Sequence, residues 1–191
     1  MITRDEAIEL LKSMPQEKSD MHHYLETEAI MKELAQKFGG DEEYWGMVGL
    51  LHDVDWAVTK NNWSEHTIKA KDILKENGFD DKFIKTVQSH AYGYDEIPAF
   101  KEMERTTKIE HALIASETLT GIIYAYALMR EKKVSDMQVK GLKKKLKDRR
   151  FAQNCNRDLI DEIEKTGIEL SEFLELSIEA IKKIRNEVGL E

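Results

Sequence analysis

The chain has 191 residues, 41% hydrophobic and 35% charged, with a net charge of -8. That profile excludes a disordered chain, and the acidic balance argues against a general duplex binder, which needs a basic footprint, while leaving room for a small phosphorylated ligand at a locally positive site. The single cysteine, Cys155, rules out an internal disulfide and the N-terminal stretch lacks the blocks of a signal peptide, so a cytoplasmic protein is expected.

Helix signals recur from end to end. Thr3 and Glu6 match a capping box, and Ile8 and Leu11 form a stripe before Pro15. A second helix is expected from about Asp20 to Phe38, stopping at Gly39-Gly40. Asp41 can cap a third, EEYWGMVGLLHD. Ser64 can cap a fourth, EHTIKAKDILKENG, which Gly78 closes, and Asp80 can cap a fifth, DKFIKTVQSHAY. After a loop with Gly93 and Pro98, a long helix covers about 106–130. Its apolar run GIIYAYALM is too short to cross a bilayer, which takes about 20 residues. Ser135 can start DMQVKGLKKKLKD, a short helix follows Arg157, and the last carries Leu174, Ile178, Ile181 and Ile184 at helical spacing. With no sustained period-two alternation, an all-α fold is expected. It would be a single-domain helical bundle over 1–191, with a core at about 20–130 and the helices of 135–191 packed on it.

The segment LLHDVDW ends an apolar helix in His52 and Asp53. In mid-helix these neighbours would point about 100° apart, but at a terminal turn both can bend toward one ion. Imidazole and carboxylate are the donor set for several divalent metals. A lone His-Asp pair also arises by chance, and a histidine on an apolar face is often a satisfied core residue. The surroundings favour the metal. HHYLETEAIMKELA opens an amphipathic helix with a histidine, and Glu117 stands in the apolar stretch HALIASETLTGII, where a buried carboxylate needs a partner. A polar face around Glu110 and Ser116 is the other reading of Glu117.

These motifs resemble the HD-domain superfamily of metal-dependent phosphohydrolases, which is defined by a histidine, a His-Asp doublet and a distant aspartate on helices. HHYLETEAIMKELA looks like the first motif, with His23 as the match, and LLHDVDW is similar to the doublet motif. The likeness is strongest over about 20–130, and FAQNCNR, ending at Arg157, is similar to a segment of a bacterial and archaeal subgroup of predicted hydrolases. The resemblance implies His23, His52 and Asp53 as metal ligands, with Asp53 also catalytic. The late aspartate falls on Glu117, one methylene longer, which still offers oxygen donors. His66 and His90 lie where some members carry two further histidines for a second metal or a phosphate. His22 and His111 are left as structural.

The implied chemistry is metal-assisted hydrolysis of a small phosphoester, with a nucleotide among the candidates and one or two divalent ions (Fe, Mn, Ni, Zn, Co or Mg) as cofactor. Asp55 is a candidate acceptor behind a ligand imidazole, although a solvated acid or a helix cap is the favoured reading. VKGLKKKLKDRR is ordinarily a solvated face, but the resemblance places it near the pocket, which makes Lys144, Lys147 and Arg157 the candidate phosphate contacts. Tyr92, Tyr94 and Phe100 can stack on a base or roof the core. The partner expected is a small phosphorylated substrate, with no nucleic-acid duplex and no membrane, and a homo-oligomer is open. Two alternatives stand beside hydrolysis: a di-iron oxygenase of the same superfamily, and a non-catalytic metal- or nucleotide-binding helical module.

Overall fold

A computed structural model describes all 191 residues. It is all-α, as the patterning predicts. The helices are α1 (Arg4–Lys12), α2 (Lys18–Phe38), α3 (Glu42–Leu51), α4 (Trp56–Thr59), α5 (Ile68–Glu76), α6 (Asp81–Gln88), α7 (Lys108–Leu128), α8 (Val139–Lys147), α9 (Arg157–Asp161) and α10 (Leu170–Ile184). No helix is long and apolar enough to cross a membrane. One apolar core runs from Ala7 to Leu190, with α2 and α7 as its long central members.

Most starts follow from side chains that accept an orphan backbone N–H. Thr3 with Glu6 and Thr107 with Glu110 form capping boxes for α1 and α7, while Asp41 and Asp80 cap α3 and α6. Gly39, at φ +67°, closes α2 in the left-handed region where glycine has no Cβ penalty.

Two expected starts are displaced. Ser64 does not cap a helix: its hydroxyl donates to Asn62, Trp63–Glu65 form a short 3-10 turn, and α5 begins only after Thr67. The start is delayed because the Thr67 N–H donates to the buried Asp55 carboxylate at 2.7 Å. Ser135 likewise opens no helix. Its N–H and that of Val134 donate to the carbonyl of Glu191, and the Glu191 N–H returns to the Lys132 carbonyl. The segment before α8 is thus held in a turn, in which the Met137 N–H donates to the Val134 carbonyl, and Gln138 becomes the residue that precedes the helix.

The approach of α3 to α2 depends on Gly49. A Cβ there would meet the Thr27 carbonyl oxygen at 2.9 Å and the Glu28 nitrogen at 3.0 Å, both backbone atoms. On the same side, buried Glu28 accepts Arg4 Nε at 2.6 Å and Lys32 Nζ at 2.6 Å, tying α1 down onto α2. Gly49→Ala is expected to cost about 1–3 kcal/mol, the usual range for overpacking against a rigid neighbour. Urea unfolding with an unchanged m-value measures it.

Glu26, on the core side of α2, is buried with its Oε1 unpartnered. Burial pushes its carboxyl up to about 8. The native state therefore holds a proton that the unfolded chain releases at a lower pH, so this contribution to stability is complete below the usual carboxylate range and is lost as pH rises through about 8. Glu26→Gln keeps the size and cannot ionise. It is expected to flatten the fall in unfolding free energy between about pH 5 and about pH 9, by on the order of 4–5 kcal/mol. Denaturation series at fixed pH values give the comparison.

Candidate metal centre

His52 is the C-cap residue of α3 and Asp53 follows it, so both side chains leave the chain where the helical ladder ends. The α2 helix brings His23 alongside, its ring 4.9 Å from that of His52. His66 comes from the turn before α5 and His90 from a 3-10 turn after α6. Five side chains thus converge as two groups that share one member: His23, His52 and Asp53, then Asp53, His66 and His90.

The outer hydrogen bonds decide which nitrogen of each ring is free. His52 Nδ1 lies 2.8 Å from the Gly49 carbonyl and His90 Nδ1 2.7 Å from the Val87 carbonyl. A carbonyl only accepts, so both Nδ1 atoms carry the hydrogen. His23 Nδ1 lies 2.8 Å from Thr120 Oγ1, whose own proton goes to the Glu117 carbonyl. This nitrogen must donate too. His66 Nδ1 donates to Asp55 Oδ1 at 3.1 Å. In its neutral form each of the four rings therefore presents a bare Nε2, the form that can receive a cation.

Those lone pairs face one another. His23 Nε2 stands 3.0 Å from His52 Nε2, and His66 Nε2 stands 3.1 Å from His90 Nε2. Two bare nitrogens repel unless something positive sits with them. Asp53 turns one oxygen to each pair: Oδ2 lies 3.6 Å from His52 and 3.9 Å from His23, and Oδ1 lies 3.3 Å from His66 and 3.2 Å from His90. Neutral imidazole nitrogens with a shared carboxylate and carboxylate or carbonyl acceptors behind them make a metal-binding donor set. The residues fit one or two divalent cations.

Proton equilibria point the same way. Burial would pull His66 down, but the hydrogen bonds it donates to Asp53 and Asp55, with their charges, push it up to about 10. Burial holds His52 down to about 3, against the pull of Asp53. Burial would raise Asp53, yet the surrounding histidines keep it well below the usual carboxylate range. The protein alone thus keeps positive charge beside Asp53 as a proton on His66, and a cation can take over that role.

Asp55 differs from its favoured sequence reading. It is fully buried, with Oδ1 on His66 and Oδ2 on the Thr67 N–H, so it is not solvated; it does hold the N-cap position of α4, but its side chain makes no cap hydrogen bond there. Thr67 turns at φ +62° to make that bond, a conformation costly for a β-branched residue. Glu117 belongs to neither donor group. Its Oε1 accepts the Thr118 hydroxyl at 2.8 Å. Burial pushes it up to about 7, with His90 opposing and Asp53 adding, so its carboxyl stands within the electrostatic reach of the centre.

The basic segment is arranged differently from the resemblance's expectation. Arg157 is a structural clamp: its Nε and two Nη groups donate to the carbonyls of Leu146, Ala152, Cys155, Asp148 and Phe151, which leaves no N–H for a phosphate. Lys147 lines a surface cavity of about 440 Å³ with Arg149, Asp158 and Asp161. Lys144 lines another, of about 350 Å³, with Tyr126 and Asp136. Neither cavity is lined by a donor of the metal centre. His111 is structural, bound at 2.8 Å to Glu162, and His22 is buried beside the chain terminus at Gly189.

Sequence reading missed two positioning residues. Thr120 orients His23, and only its place one turn beyond Glu117 on α7 hinted at it. Arg105 donates through Nη1 to the carbonyls of Ser89 and Tyr92, on either side of His90, while Nε and Nη2 grip Glu162. Nothing in the loop marked it.

Residues 21–137 match the family model of the HD domain. The match spans more than half of the chain, which belongs to the HD-domain family, generally one of metal-dependent hydrolases. No curated protein and no solved structure matches it. Adding Mn or Fe is expected to raise the melting temperature, by about 2.7 kcal/mol of stability at a hundredfold excess over Kd. Asp53→Asn should remove that shift, and lowering the pH should weaken it as the imidazoles take up protons. Thermal scans with and without chelator read both effects.

Proposed function

We propose that the chain is a metal-dependent phosphohydrolase that cleaves a small phosphoester, with nucleotides among the candidate substrates. The observation that supports this best is Asp53, whose two oxygens each serve a pair of bare imidazole nitrogens. A divalent cation, or two, supplies activated water at neutral pH and positive charge for the phosphoryl oxygens.

The chain's own groups bind and orient. His23, His52, His66 and His90 would hold the metal through Nε2, with Asp53 joining the two sides. Glu117 is the proposed further donor, direct or through water, its longer side chain starting from the α7 turn that also carries Thr120. Substrate would enter on the side of His23, whose side chain is 27% exposed against 15% for Asp53 and 1% for His52.

The test is a panel of phosphomonoesters, nucleotides and cyclic diesters assayed with Mn, Fe, Ni or Co. Cleavage is expected, with Asp53→Asn at background and Asp55→Ala reduced about ten- to a hundredfold through the lost support of His66. Metal-dependent oxygen uptake without phosphate release would instead favour the iron oxygenase. Metal binding with neither reaction would favour a binding module.

A further inference from the structure

Glu162 lies outside residues 21–137, the part of the chain that matches the family model, yet one side chain joins it to the metal centre. It opens the short 3-10 turn Glu162–Thr166 that follows α9. Both of its oxygens accept from Arg105, Oε2 from Nε and Oε1 from Nη2, each at 2.9 Å. This two-point fork fixes the plane of the guanidinium as well as its place. His111 Nδ1 shares Oε2 at 2.8 Å, which ties the same carboxylate to α7. Burial would raise the Glu162 carboxyl, but the hydrogen bonds from Arg105 and His111 hold it down to about 2, so it is ionised at neutral pH.

The third nitrogen of the guanidinium serves the turn that carries His90. Arg105 Nη1 donates to the Ser89 and Tyr92 carbonyls, both at 2.9 Å. These carbonyls bracket the three-residue 3-10 turn Ser89–Ala91. Hydrogen bonds in such a turn are poorer than those of an α-helix, and this one closes on the Tyr92 N–H, 3.1 Å from the Ser89 carbonyl. The closing bond and the cation therefore share one acceptor. From this turn His90 Nε2 reaches to 3.2 Å from Asp53 Oδ1. Looseness of about 1 Å is enough to spoil a ligand constellation. His23 and His52 are supported from elsewhere, by Thr120 and the Gly49 carbonyl, and neither Arg105 nor Glu162 bonds to those supports.

We propose that Glu162 is a positioning residue of the metal centre. Through Arg105 it holds the His90 turn where that imidazole can bind a cation, so a segment beyond the family match governs one of the four histidine donors. This rests on the metal-centre reading and not on the reaction that the metal serves.

The test titrates zinc into the full chain while the ring-nitrogen resonances of the histidines are followed by NMR, which reports each imidazole separately. Glu162→Gln keeps the size of the side chain and removes its charge. The zinc concentration at which His90 responds is expected to rise about ten- to a hundredfold, the usual effect of losing an outer support. His23 and His52 should respond as in the unaltered chain. Arg105→Lys keeps a cation but cannot span the carboxylate and both carbonyls, and is expected to show the same selective loss. Circular dichroism follows the fold of both variants. Equal weakening at His23, His52 and His90, or a His90 response unchanged in both variants, would overturn the proposal. Unfolding of both variants would overturn it too, by making the bridge a requirement of the fold alone. If no ring of the unaltered chain responds to zinc, the metal-centre reading falls and the proposal with it. If the selective loss is seen but no phosphoester is cleaved, the hydrolase reading alone falls.

Discussion

The close crossing of α2 and α3 is the constraint on which the centre depends. Gly49 lets the α3 backbone lie against the Thr27 carbonyl and the Glu28 nitrogen. One turn later the same helix ends, and His52 arrives beside His23. The Gly49 carbonyl then accepts the His52 Nδ1 hydrogen. A single residue thus sets both the distance between two candidate ligands and the tautomer of one of them. Any larger side chain would separate α2 from α3 and tilt His52 away from its partner.

Behind the five donors stands a second layer that fixes proton positions. Two backbone carbonyls, a threonine hydroxyl and a buried carboxylate each take one Nδ1 hydrogen. Every ring is thereby turned with its basic nitrogen inward. The cost is mutual repulsion between bare nitrogens at about hydrogen-bond distance, in a place where burial has removed water. A shared carboxylate offsets part of it, and positive charge completes the balance. The arrangement is preorganised for a cation: the imidazoles need little reorientation to receive one.

Much of this was legible in the sequence because it is local. Capping residues sit within one turn of the helix they start, and the doublet ligands are adjacent, so a linear reading finds both. The late starts of α5 and α8 were not legible, since each is decided by a partner far along the chain: Asp55 for the first, the carbonyl of Glu191 for the second. The same holds for the site. His23, His52, Asp53, His66 and His90 were implied by the resemblance to a known family, while Asp55, Thr120 and Arg105 take their roles only from neighbours that folding brings up. Arg157 shows the reverse: a cation in a basic segment looks free on paper, but five carbonyls enclose it.

Thr67 carries a consequence of a different kind. It is fully buried, sits in left-handed backbone and leaves its hydroxyl without a partner. Glycine would relieve the Cβ strain at this joint. It would also give the joint a hinge, freeing the adjacent imidazole to wander. Attempts to make the protein sturdier at its most strained joint would therefore work against the rigidity of the pocket, and selection for thermal endurance and selection for a well-held ion would pull this position in opposite directions.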